Sequence, residues 1–217
     1  MADVPYSPRE ERAHWLTHAV GIVASLVAIP WLVAVAASAG DAWRLASGVI
    51  FGVSALLLFS TSVAYHAVSA PLAKSRLRIL DHSAIYLLIA GSYTPFTLGV
   101  LRGTWGWTLF GVVWGLAVAG ILAKTILGPR FRIASTLLYL GMGWVGVVAA
   151  RPLMHALDGW TLAWIVAGGL VYTAGVPFYL WKDRPHTHAV WHLFVLGGAF
   201  CHFVAVLSVM AAPAAAG

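Results

Sequence analysis

Long apolar runs alternate with short polar ones along the whole chain. A helix needs about 20 apolar residues to cross a hydrocarbon core. Seven stretches meet that length: 17–38, 43–66, 80–100, 105–123, 133–150, 159–180 and 188–210. Gly, Pro or a charge cluster breaks the pattern at each junction, and no connection exceeds about a dozen residues. The pattern predicts an all-α polytopic membrane protein: a short N-terminal segment 1–16, a seven-helix domain 17–210 and a short tail 211–217. Pro30, Pro95 and Pro177 fall inside predicted helices, where neighbouring groups in a bundle can satisfy the freed carbonyls. Gly141-Met142-Gly143 and Gly168-Gly169 are small-residue sites suited to close helix packing. Such faces permit a homo-oligomer without requiring one. No internal repeat is visible.

Composition sharpens this picture. Of 217 residues, 61% are hydrophobic and only 9% charged, against about 25% charged in soluble domains. The 11 Trp residues fit an interfacial belt. The net charge of +6 would otherwise raise the question of nucleic acid. Here the basic residues sit in short segments between spans, with no basic stripe interleaved with exposed aromatics, so nucleic acid is excluded as a partner. One cysteine, Cys201, rules out an intramolecular disulfide and a thiolate cluster. The first 14 residues are polar and run into a full span, so no cleavable signal peptide is expected.

Lys and Arg counts give an orientation. Arg9, Arg12, Lys74, Arg76, Arg78, Lys124, Arg130, Arg132, Lys182 and Arg184 fall on one side; Arg44, Arg102 and Arg151 fall on the other. The positive-inside rule then predicts a cytoplasmic N-terminus and a C-terminus outside, in the inner (plasma) membrane.

Ionisable residues at a membrane boundary are expensive and therefore candidates for function. His188 and His192 open the last span at i,i+4 spacing, which puts two imidazoles on one helical face able to chelate zinc. By parity, the end of the second span (His66) and the start of the third (Asp81) share the side of His188 and His192. Ser62 lies one turn before His66. Each also has a plain structural reading: His66 as an interfacial snorkelling or capping residue, Asp81 as an N-cap, and His-x-x-x-His as a chance pair. His14, His18, His82 and His186 share that side without comparable spacing, and His155 lies on the other. His202, about 15 Å along the helix from His192, is expected to lie too deep to join.

Ser62-x-x-x-His66, Asp81 within Leu80-Asp81-His82-Ser83-Ala84-Ile85-Tyr86, Gly91-Ser92-Tyr93-Thr94-Pro95-Phe96 and His188-x-x-Trp191-His192 occur in that order. Together they resemble the hemolysin III family of bacterial membrane proteins, relatives of the progestin and adiponectin receptors. Glu10-Glu11-x-x-His14-x-x-Thr17-His18 is similar to the family's N-terminal motif, which more often has Asn at the place of His14. The resemblance runs from about Glu10 to Val206 and implies seven helices with the N-terminus inside. It also implies a Zn2+ ion held by His66, His188 and His192, with Asp81 and Ser62 near the water on the metal. Alkaline ceramidases and the eukaryotic receptors are grouped with it as hydrolases of lipid amides or esters. Bacterial members carry links to haemolysis and membrane lipid homeostasis.

Three readings follow. In a zinc-dependent lipid hydrolase, Asp81 orients and deprotonates water and Ser62 hydrogen-bonds the oxyanion, the substrate being an acyl amide or ester from the inner leaflet. In a membrane-state sensor, zinc staples helices and catalyses nothing. A cytolytic pore fits least, because cytolysins usually have soluble forms and this chain is apolar throughout.

Overall fold

The computed structural model describes residues 6–128, 132–181 and 184–212. The described residues form helices and no strands. Seven helices are long and apolar enough to span a membrane: α1 (Pro8–Ser38), α2 (Ala42–Ala67), α3 (Pro71–Leu101), α4 (Gly103–Leu127), α5 (Arg132–Ala156), α6 (Gly159–Leu180) and α7 (Thr187–Ala211). Neighbours in sequence pack side by side, and α7 returns against α1 and α2 to close the bundle.

Two helices begin well before the apolar stretch that predicts them. The first starts at Pro8 rather than at position 17, because Ser7 and Glu10 form a reciprocal capping box with Pro8 in the first turn. Glu10 N–H donates to Ser7 Oγ at 3.3 Å, and Ser7 N–H donates to Glu10 Oε2 at 2.9 Å. The third starts at Pro71, where a proline again opens the first turn. Both additions are polar helix that stands at the N-terminal end of the bundle.

Pro95 and the tripeptide Gly141–Gly143 behave differently from expectation. Pro95 has no N–H to donate, and the ladder shifts register into a π-helical stretch, Pro95–Leu101. Arg102 N–H closes it on the Thr97 carbonyl, five residues back, at 3.0 Å. Gly141 and Gly143 face open space, so they are not the packing site expected of them. Gly168 is one: a Cβ there would run into the His202 ring. Gly169 has Trp144 ring carbons 3.5 Å from where its Cβ would stand. α5 is itself interrupted by a 3-10 stretch, Val145–Ala149.

Burial is uneven. The most apolar window is 67% buried in α3, 50% in α2 and 44% in α7, against 17–28% in the other four helices. α2, α3 and α7 are thus the inner helices, and they carry every site residue expected from the sequence. The outer faces show large apolar side chains such as Leu16, Val20, Val23 and Val27, as a lipid-facing helix requires. At the end opposite the N-terminus, Asp41 caps α2 through the N–H groups of Trp43 (3.0 Å) and Arg44 (3.3 Å). It also pairs with Arg102, which ties α2 to the end of α3.

Candidate metal centre

Local helix geometry builds the site. On α7, i,i+4 spacing stacks His188 and His192 one above the other, with their Nε2 atoms 3.2 Å apart. His66 reaches them from the last turn of α2, its ring centroid 5.2 Å from each of theirs. One nitrogen from each of the three rings lies within 4.8 Å of the others. The three histidines named from the sequence therefore converge.

Hydrogen bonds set the tautomers. His192 Nδ1 lies 3.0 Å from the His14 carbonyl oxygen, an acceptor only, so Nδ1 carries the proton and Nε2 presents its lone pair to His188. Thr17 Oγ1 stands 3.1 Å from the same Nδ1. His66 Nδ1–H donates to Glu11 Oε2 at 2.7 Å, which leaves its buried Nε2 as a lone pair without a partner. The His192 lone pair, the His188 Nε2 3.2 Å from it and the unpartnered His66 Nε2 beside them make up the donor set of an imidazole metal site. On this observation the residues fit a metal ion.

Asp81 and Ser62 adjoin the cluster. Both line an inner cavity of about 110 Å³ that His188 and His192 also face. Ser62 is 1% exposed and its Oγ has no partner. Asp81 Oδ2 lies 3.2 Å from Nδ1 of the neighbouring His82. His82 is fixed in turn by its Nδ1 at 2.8 Å from the Arg78 carbonyl and by Tyr139, whose hydroxyl donates to the His82 carbonyl.

Sequence reasoning quotes Glu11, His14 and His18 as part of a motif but gives this face of α1 no place in the centre. Glu11, His14 and His18 lie at i, i+3 and i+7, one stripe of the helix. His14 is 0% exposed and its ring centroid is 4.7 Å from that of His66. His18 stacks on His192 at 3.7 Å. Glu11 holds Lys74 of α3 at 2.9 Å through its other oxygen. The pattern was available in the chain, but only once α1 is known to begin at Pro8. His202 stays outside the donor set, yet lines the same inner cavity.

A second recess of about 660 Å³ opens from the cluster toward the N-terminal end, lined by Glu11, Arg12, Lys74 and Arg78 among others. His82, Tyr179 and His188 face both spaces. The centre thus has a polar, basic entrance on one side and an apolar chamber on the other.

The sequence matches the family described as Haemolysin-III related over residues 6–203. It is 46% identical over 202 residues to a protein named Hemolysin-3 homolog from Bacillus subtilis, covering 93% of this chain and 95% of that one. It is 45% identical over 199 residues to Hemolysin-3 from Bacillus cereus, covering 92% and 91%. A human protein named monocyte to macrophage differentiation factor is 31% identical over 209 residues, covering 91% and 83%. Matched along nearly its whole length and built from seven spanning helices, this multi-pass membrane protein belongs to the haemolysin-III related family.

Proposed function

We propose that the protein is a zinc-dependent hydrolase of lipid amide or ester bonds in the bacterial inner membrane. Its centre faces the cytoplasmic leaflet, and its activity serves membrane lipid homeostasis. The observation that carries this reading is the meeting of three imidazole Nε2 atoms (3.2 Å apart on α7, unpartnered on His66) at a cavity lined by Ser62 and Asp81. His66, His188 and His192 would hold the ion, which when bound supplies a Lewis acid that acidifies water to a pKa of about 7. Asp81 accepts the proton of the attacking water and passes it to the leaving group. Ser62, whose hydroxyl has no other acceptor, donates to the carbonyl oxygen as charge builds there. Glu11 fixes the His66 ring through Nδ1. The apolar chamber, about 110 Å³, takes the first methylenes of the acyl chain beside the scissile bond.

Purified protein is tested for metal by mass spectrometry beside His188→Ala/His192→Ala, and then against ceramide and phospholipid panels. About one zinc per chain and turnover above the double variant are expected. Turnover no higher than that control would sink the hydrolase.

A membrane-state sensor with structural zinc is the second reading, and the contacts that tie α1, α2 and α7 through Glu11, His66, His14 and His192 favour it. Asp81→Asn separates the two: a sensor that keeps its zinc tolerates the change, and a hydrolase loses its activity.

A further inference from the structure

His14 is fully buried, and neither of its ring nitrogens has a hydrogen-bond partner. Such a group is rare, because desolvated polar atoms are nearly always paired. Its donor atoms group with those of Glu11 and His66: one ligand atom from each of the three lies within 4.8 Å of the others. Glu11 Oε2 stands 3.7 Å from His14 Nδ1 and 2.7 Å from His66 Nδ1. Ligands on one tetrahedral zinc ion, with bonds of about 2.0 Å, stand about 3.3 Å apart. The two separations fall on either side of that length.

We propose that Glu11, His14 and His66 form a loading site for a zinc-like divalent ion, from which the metal passes to His66, His188 and His192. The proposal rests on the metal reading above. His66 belongs to both donor sets, so an ion can change its other ligands without leaving that imidazole. Glu11 and His66 also line the recess that opens toward the N-terminal end. Among the described lining residues Glu11 is the only carboxylate. A cation that has come past Arg12, Lys74 and Arg78 therefore meets its counter-charge at Glu11.

Lys74 makes this a place of passage. Its ammonium lies 2.9 Å from Glu11 Oε1 and 3.1 Å from the carbonyls of Tyr65 and Val68. Glu11 Oε2 is left to the histidines, and the ammonium beside it opposes a cation there. An ion must also displace the hydrogen bond from His66 to Glu11. The loading site is thus weaker than the three-imidazole site, which carries neither cost. Sharing of His66, with repulsion between two ions so close, leaves one metal per chain at rest.

The test strips metal from the full chain in detergent and follows uptake of Zn2+ alone against a chromogenic chelator. His14→Asn keeps the backbone carbonyl that holds His192 Nδ1, so the resting site is spared. Uptake is expected to slow roughly 10-fold, the order seen when a supporting group of a metal site is lost, and to reach the same final zinc content. His188→Ala/His192→Ala removes the resting site. It is expected to hold added zinc weakly through two imidazoles and a carboxylate, counted by X-ray absorption, and to lose it when His14→Asn is added. Equal uptake rates in wild type and His14→Asn overturn the proposal and leave the three-histidine site standing. So does residual zinc that His14→Asn fails to remove, or a double variant that binds none. Zinc held at two imidazoles in both wild type and the double variant does the reverse: the resting site falls and this one stands. The two uptake rates decide alone if the combined variant fails to fold.

Discussion

Glu11 on α1 accepts the Nδ1 proton of His66 on α2 at 2.7 Å, across 55 positions of sequence. This one bond fixes which nitrogen of His66 is left to a metal. A carboxylate behind a ligating imidazole orients the ring and raises its basicity. Glu11→Gln is therefore expected to weaken zinc binding by roughly 10- to 100-fold, read by competition with a chromogenic chelator. An unchanged affinity would show that His66 is oriented by packing alone.

Ser62 and Asp81 have no place in the donor set, so their loss should spare the metal. Ser62→Ala is expected to keep one zinc per chain and to lower kcat by roughly 10²- to 10³-fold on any lipid substrate found. Metal content and kcat are measured on the same preparation. A fall in both together would assign Ser62 to the fold.

Gly120 packs against the Tyr86 ring so closely that an added Cβ overlaps it. Gly120→Val should force α3 and α4 apart and cost about 1–3 kcal/mol, seen as a lower Tm in detergent. Gly141→Val, where the same carbon meets open space, is the matched control and should leave Tm nearly unchanged.

Burial raises the Asp41 pKa, but the Arg102 and Arg44 partners outweigh it and hold the carboxyl below its ordinary value. A depressed carboxylate stabilises the fold above its unfolded pKa of about 3.9, and that stability is lost as pH falls through the folded value. Thermal stability is expected to drop on acidification below about pH 4, and Asp41→Asn should flatten that drop. At neutral pH, Asp41→Ala removes the α2 cap at a cost of about 1 kcal/mol.

Much of the centre was legible because its spacing is local or follows from parity. His188 and His192 declare themselves by i,i+4 spacing, and span counting brings His66 and Asp81 to their side of the bundle. Glu11, His14 and His18 stand in a visible motif, but their common face at the centre was hidden because hydropathy marks where lipid begins, whereas the capping box at Ser7 and Glu10 marks where the helix begins. The polar turns between those two points carry the missed stripe. The π-helical stretch from Pro95 was not legible: proline forbids the ordinary hydrogen bond, but packing around the fully buried Thr94 and Thr97 decides what replaces it. Gly141 and Gly143 show the reverse limit: small residues permit a close contact, and only the neighbouring helix supplies one.

His82, Tyr179 and His188 form a wall shared by two spaces of opposite character. Lys74 and Arg78 line the first; Leu58, Leu88 and Val195 line the second. A molecule with a charged head and a greasy tail can thus sit astride the histidines without either half entering a solvent it dislikes. If such a molecule is cut there, its two halves already face different exits, and neither product has to pass the other to leave.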